Sequence, residues 1–245
     1  MTKLSVLILG ARSDIARATA SLFAQRGYSL QLAARNVETL QVIQTDMELR
    51  YPTTVTLHEF DALAIDHHEK FIDDLPNLPD VVVCAVGAMD TQSLCETDPV
   101  TAIRVIRSNF EGPAIIMGLL ANSFAERGSG TLVGISSVAG ERGRGKNYIY
   151  GSAKAGFTAF LSGLRNRCAK MDVHVITVLP GFVATQMTED MELPSKLTAQ
   201  PIEVAEAIVK AVQRKTNLIY VRPVWKFIML IICYIPEQIF KRMDI

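Results

Sequence analysis

Short apolar runs punctuate the chain near 4–9, 28–33, 53–59, 80–85, 131–136, 173–179 and 218–221. They are rich in Val, Ile and Leu and show little polar alternation, the pattern of strands buried on both faces. Between them the apolar positions recur at helical spacing, over 15–26 and over two long stretches, about 99–126 and 148–170. Strand and helix in regular alternation predict an α/β fold: a doubly wound, parallel, seven-stranded sheet with helices on both faces. In such a sheet ligands bind at the carboxyl ends of the strands. No linker, internal repeat or low-complexity tract divides the sequence, so residues 1–245 are expected to form one domain. The longest span without a predicted element is 181–200, and a loop of that length in a compact domain is usually functional, often a lid.

Charge narrows the partners. Twenty-five basic and 25 acidic residues give a formal net charge of zero, which removes any general electrostatic case for a nucleic acid. Cys84, Cys95, Cys168 and Cys233 lack metal-ligand spacing, as do the four histidines, so no metal site is expected. Free thiols in apolar runs fit a reducing cytoplasm. The apolar stretch 4–9 is too short for an export signal and runs into a glycine turn, as a first strand does. Near the other end, 224–241 carries nine consecutive apolar residues, well below the ~20 needed to span a bilayer. Three readings of this segment stand open: a buried or oligomer-forming helix, an interfacial helix flanked by Lys226, Lys241 and Arg242, or a wall for an apolar substrate.

Chemistry concentrates around Tyr150 and Lys154. On a helix their spacing sets a phenol and an ammonium on one face, and a nearby cation favours phenolate, so Lys154 is expected to lower the pKa of Tyr150. Such a pair is an acid/base device for a carbonyl or alcohol oxygen. Thirteen residues earlier, Ser137 stands at the end of the predicted strand 131–136.

These residues resemble the short-chain dehydrogenase/reductase family. Ser136-Ser137-Val138-Ala139-Gly140 matches a strand ending in Ser-Ser-x-x-Gly, and Tyr150-Gly151-Ser152-Ala153-Lys154 matches Tyr-x-x-x-Lys. The resemblance spans nearly the whole chain. It implies a Rossmann-like, dinucleotide-binding domain with catalytic Asn109, Ser137, Tyr150 and Lys154. The glycine loop, Gly-x-x-x-Gly-x-Gly in the family, survives here only at Gly10, with Asp14 and Ala16 at the other two positions. Gly10, Arg12, Ser13, Asp14 and Ile15 would border the cofactor pyrophosphate at a helix N-terminus. Asp14 either adds a carboxylate near that phosphate or turns away to cap the helix. Arg35, after the second strand, favours NADP(H) over NAD, with Arg12 as the other side of a 2′-phosphate clamp. Asp61 and Ala62 match the adenine contact, and Cys84-Ala85-Val86-Gly87 stands where the family has Asn-Asn-Ala-Gly, with only the final glycine kept. Pro180, Gly181, Val183 and Thr185 match the segment that holds the nicotinamide.

The resemblance further implies that Tyr150 passes the proton, Ser137 binds the substrate oxygen, Lys154 holds the nicotinamide ribose and Asn109 anchors a water. Homo-dimers or tetramers built on the long helices are implied as well. The loop 140–150 and the apolar tail are similar to the branch containing decaprenylphosphoryl-ribose 2′-epimerase reductases, which act on a lipid-linked keto-sugar. Arg142, Arg144 and Lys146 would then meet a phosphate. A soluble carbonyl such as a 3-oxoacyl thioester or small ketone is the alternative substrate, and a dinucleotide-binding sensor or scaffold without turnover is the alternative of another class.

Overall fold

The computed structural model describes residues 3–189 and 191–243. Seven strands form one sheet: β1 (Ser5–Leu9), β2 (Ser29–Ala34), β3 (Val55–Glu59), β4 (Val81–Cys84), β5 (Gly130–Ile135), β6 (Val173–Leu179) and β7 (Leu218–Tyr220). Their order is β3-β2-β1-β4-β5-β6-β7, and every pair is parallel. The order reverses between β1 and β4, which opens a crevice above their carboxyl ends.

Alternate residues of each strand feed two cores. Val6 and Ile8 face a layer formed by α1 (Asp14–Gln25), α2 (Gln41–Arg50) and later α8 (Pro201–Arg214), with Phe23, Ile43, Met47, Val204 and Ile208 buried there. Leu7 and Leu9 face the opposite layer. After the short helices α3 (His68–Asp73) and α4 (Gln92–Thr97), that layer is built by α5 (Pro99–Ile106), α6 (Gly112–Arg127) and α7 (Tyr148–Cys168). Ile116, Leu120, Phe124, Phe157 and Leu161 fill it.

The single helix expected over 99–126 is interrupted. Asp98 caps α5 through the Val100 and Thr101 amides, with Pro99 at the first helical position, and a π-helical turn over Arg107–Glu111 then separates α5 from α6. Pro113 supplies the reason: it has no amide to offer the Asn109 carbonyl, and its ring crowds that carbonyl. The ladder slips by one residue, with the Gly112 amide reaching the Arg107 carbonyl.

The C-terminal segment folds as α9 (Val224–Tyr234) and α10 (Glu237–Phe240). Trp225 and Met229 turn inward onto Val138 and Leu179, forming a third, small core. No helix among the described residues is long and apolar enough to cross a membrane.

Candidate active site

The glycines around the end of β5 decide where the reactive side chains meet. A Cβ on Gly140 would lie 2.6 Å from the Ala155 amide nitrogen, and one on Gly151 would lie 2.8 Å from the Ala139 carbonyl oxygen. Only bare backbone lets the turn after β5 seat against α7. Ser136 fastens the seat, its Oγ donating to the Lys154 carbonyl at 2.9 Å and lying 2.7 Å from Thr158 Oγ1. Ser137, with extended backbone, and Tyr150, on the first turn of α7, then face one cleft.

Lys154 sits one turn further along α7, buried, with Nζ donating to the Ile135 carbonyl at 3.1 Å. Gly87 leaves room beside it: a Cβ there would lie 2.8 Å from Asn109 Oδ1 and 3.5 Å from Lys154 Nζ. Asn109, on the π turn, donates through Nδ2 to the Ala88 and Val105 carbonyls at 2.5 and 2.8 Å. Its Oδ1 is buried and has no donor. An orphaned acceptor beside a lysine is the right fitting for a bridging water.

The expectation that Lys154 lowers the Tyr150 pKa is not met. Burial pushes the phenol up to about 12, with the neighbouring Ser137 hydroxyl pulling it partly back. Burial likewise pulls Lys154 down to about 8. Desolvation outweighs charge–charge help because the ammonium is held at the Ile135 carbonyl and is itself costly to keep charged.

The cleft, about 500 Å³, runs along the strand ends from α1 to α9. Arg12, Ser13, Asp14 and Ile15 line one end; Ala85, Val86 and Gly87 the floor; Asn109, Ser137, Tyr150 and Lys154 the centre; Pro180, Gly181, Val183 and Thr185 the far wall. Gly10 lies under the floor, at φ 80°, where a Cβ would lie 2.9 Å from the Ala85 carbonyl oxygen. Three expected contacts stand outside this lining. Arg35 is exposed just past β2, Asp61 Oδ1 accepts from the Leu63 amide at 2.9 Å, and Ala62 is buried against Gly112.

Asp14 does not cap the helix. Ser13 is the cap of α1, accepting from the Ala16 amide at 3.2 Å, and Asp14 Oδ2 accepts from the Gln186 amide at 2.9 Å. The carboxylate therefore lines the cleft and also fastens the 181–200 loop. That loop also holds a parallel bridge, Val183 with Ala199, and a short helical turn capped by Thr185 and Thr188.

These residues fit a dinucleotide on the structure's own terms: a helix N-terminus and a glycine at close backbone approach at one end, an orphaned acceptor and a buried ammonium at the other. A family model described as short chain dehydrogenase matches residues 4–195. The chain belongs to this family. Its relatives include an uncharacterized oxidoreductase of Mycobacterium tuberculosis, 32% identical over 97% of this chain and 96% of that protein. An uncharacterized oxidoreductase of Streptomyces coelicolor is 34% identical over 98% and 95%. Among solved structures, a short chain dehydrogenase from Burkholderia cenocepacia in complex with NADP has a TM-score of 0.82 at 18% identity, covering 98% of this chain and 97% of that one. The chain is thus an oxidoreductase of the short-chain type.

Several lining residues escape any motif. Met89, Asn147 and Met191 lie in loops and Met187 in a single short helical turn, where no periodicity marks them, and Phe182 was passed over within the 180–185 segment. Trp225 was visible only as part of the apolar tail. It packs edge-on against Phe182 and donates from Nε1 to the Leu197 carbonyl at 3.2 Å. A Cβ on Gly181 would fall inside its indole, 1.9 Å away, so the glycine after Pro180 makes room for this wall.

Proposed function

We propose that this protein is an NADP(H)-dependent carbonyl reductase whose substrate is a lipophilic ketone, with the reverse oxidation of the secondary alcohol open to it. The observation that carries the reading is the convergence of Ser137, Tyr150, Lys154 and Asn109 on one cleft that continues to the Gly10 turn. Gly10, Ser13, Ile15 and the Ala85–Gly87 backbone would hold the coenzyme's diphosphate and adenosine end, and Lys154, Val183 and Thr185 its nicotinamide end. When bound, the reduced nicotinamide supplies hydride. Ser137 orients the substrate oxygen and Tyr150 gives it a proton. A phenol raised to about 12 stays protonated at neutral pH, which suits reduction; oxidation needs the phenolate and should quicken as pH rises. The proton lost by Tyr150 is replaced through Lys154 and a water at Asn109 Oδ1.

Arg12, at the cleft's α1 end, and Arg35, at the end of β2, supply the two cations for a 2′-phosphate. The NADP bound by the Burkholderia structure is consistent with that preference. Met89, Met187, Met191, Phe182 and Trp225 give the substrate end apolar walls, which favour an alkyl- or polyprenyl-bearing ketone, the lipid-linked keto-sugar among them, over a small soluble one. α9 supplies both a wall and a surface: Phe227, Leu230, Ile231 and Tyr234 turn outward beside exposed Lys226, Lys241 and Arg242. This face is read as resting on an anionic membrane from the cytoplasmic side. Exposed Val100, Ile103 and Ile115 on α5 and α6 support a second copy as partner there.

Tyr150→Phe should lower the turnover rate by about 10²–10⁴-fold while NADPH still binds with wild-type affinity. A variant at wild-type rate overturns the mechanism. Arg35→Asp should cut the preference for NADP over NAD by about tenfold or more, measured as the ratio of kcat/KM values, and an unchanged ratio removes the 2′-phosphate assignment.

A further inference from the structure

Cations line the cleft at three places among the described residues: Arg12 beside α1, Lys154 beside Tyr150, and Arg144 on the loop that joins Ser137 to Tyr150. The third has no work in the fold. Its neighbour Arg142 is fully engaged, donating to the Cys233 carbonyl at 2.8 Å and to Glu237 at 2.7 Å, with its guanidinium 4.1 Å from the centre of the Phe240 ring. Lys146 is exposed and outside the lining. The Arg144 side chain makes no hydrogen bond or ion pair among the described residues, and its Nε is buried without an acceptor. Burial pulls this guanidinium below its ordinary value, and no acidic group opposes the shift. Glu141, three residues away, already accepts from the Tyr220 hydroxyl. Beside Arg144 on the same loop, Asn147 Oδ1 is also buried with no donor.

Arg144 is half-buried with its Nε shut away from solvent, and a buried donor left unmatched in a ligand cleft is matched by the ligand. We infer that Arg144 is an anion-recognition residue for the substrate: the preferred ketone carries a carboxylate or phosphate on the side that faces the loop 138–147, held by the Arg144 fork, while Ser137 and Tyr150 take the carbonyl. Asn147 Oδ1 accepts from a substrate hydroxyl or amide. The inference rests on the carbonyl-reductase reading for the place of the carbonyl, but the anion site stands on its own geometry. Apolar walls strengthen the pairing by excluding water from it.

The test reads binding apart from turnover. Dissociation constants of 4-oxododecanoate, its neutral methyl ester and 2-oxododecyl phosphate are measured by calorimetry on the wild-type protein, with and without NADP+, where no hydride is available to the ketone. One or both acids should bind at least ten times tighter than the ester, about the worth of one charge-assisted hydrogen bond. The tighter of the two acids identifies the anion. Arg144→Gln should erase that ratio, and Arg144→Lys, which keeps the charge without the fork, should restore part of it. Equal binding of acids and ester by the wild-type protein, or an Arg144→Gln variant that weakens all three ligands alike, overturns the inference. If the acids bind selectively and yet none of the ketones consumes NADPH, the anion site holds and the reductase reading fails instead.

Discussion

Lys154 shows how a single residue trades stability for chemistry. Its shift from 10.5 to about 8 comes from burial of the charged form and corresponds to roughly 3 kcal/mol at ~1.36 kcal/mol per pH unit. Between those two values the unfolded chain binds the proton that the folded chain releases, so stability rises with pH across that window and the penalty is complete below about 8. Lys154→Met should therefore be more stable than the wild type at pH 7, by about 1–3 kcal/mol once the lost bond to the Ile135 carbonyl is subtracted. The advantage should vanish as pH approaches 10.5. Chemical denaturation of both proteins at pH 7 and pH 10 checks this, and a variant no more stable at pH 7 would show that the fold fully satisfies the ammonium. The pairing of Tyr150 and Lys154 was legible from their spacing together with the Ser137 segment upstream and the family it resembles. The sign of the Tyr150 shift was not, because it depends on how much protein surrounds the phenol, and spacing carries no information on burial.

Elements set the next level of function. The 181–200 loop was legible as a gap in the periodic pattern, yet nothing along the chain links it to residue 14. In the folded protein Asp14 holds the Gln186 amide at 2.9 Å, 172 positions away in sequence, so the carboxylate that replaces a family glycine fastens the loop over the cleft. Asp14→Ala should raise hydrogen exchange at Gln186 about fivefold or more, the loss of one bond of about 1 kcal/mol. Exchange unchanged at that amide would show that the Val183–Ala199 bridge alone holds the loop. The π turn at Arg107–Glu111 is a second case. Asn109 was assigned by resemblance, but its inward position follows from Pro113, which breaks the ladder where the side chain has to reach Ala88 and Val105.

At the scale of the whole molecule, the C-terminal segment joins two of its parts and leaves one face exposed. Arg142 ties it to the loop after Ser137, Trp225 ties it to the cleft wall, and its outer face carries Phe227, Ile231 and Tyr234 at 65%, 67% and 80% exposure. The inner face of this segment is buried, with Trp225 lining the cleft. The outer face is the one to test for membrane contact. A Phe227→Ser, Ile231→Ser double variant should lose most of its co-sedimentation with vesicles containing anionic lipid, and wild-type sedimentation should fall as salt rises. Wild-type protein that stays in the supernatant with such vesicles at low salt removes the membrane from the proposal.

The seven strands and the Tyr150–Lys154 spacing are legible in the chain read by itself, because apolar runs and the residues on one helical turn are local, whereas Ser137 and Asn109 are placed by the resemblance to the family. Tertiary structure alone decided that Gly181 yields its space to Trp225, that Asp14 holds the Gln186 amide, and that Arg144, unlike Arg142, is left without a partner in the cleft. Those outcomes depend on which atoms far apart in sequence come to share a few ångströms, and on how much water the fold leaves between them.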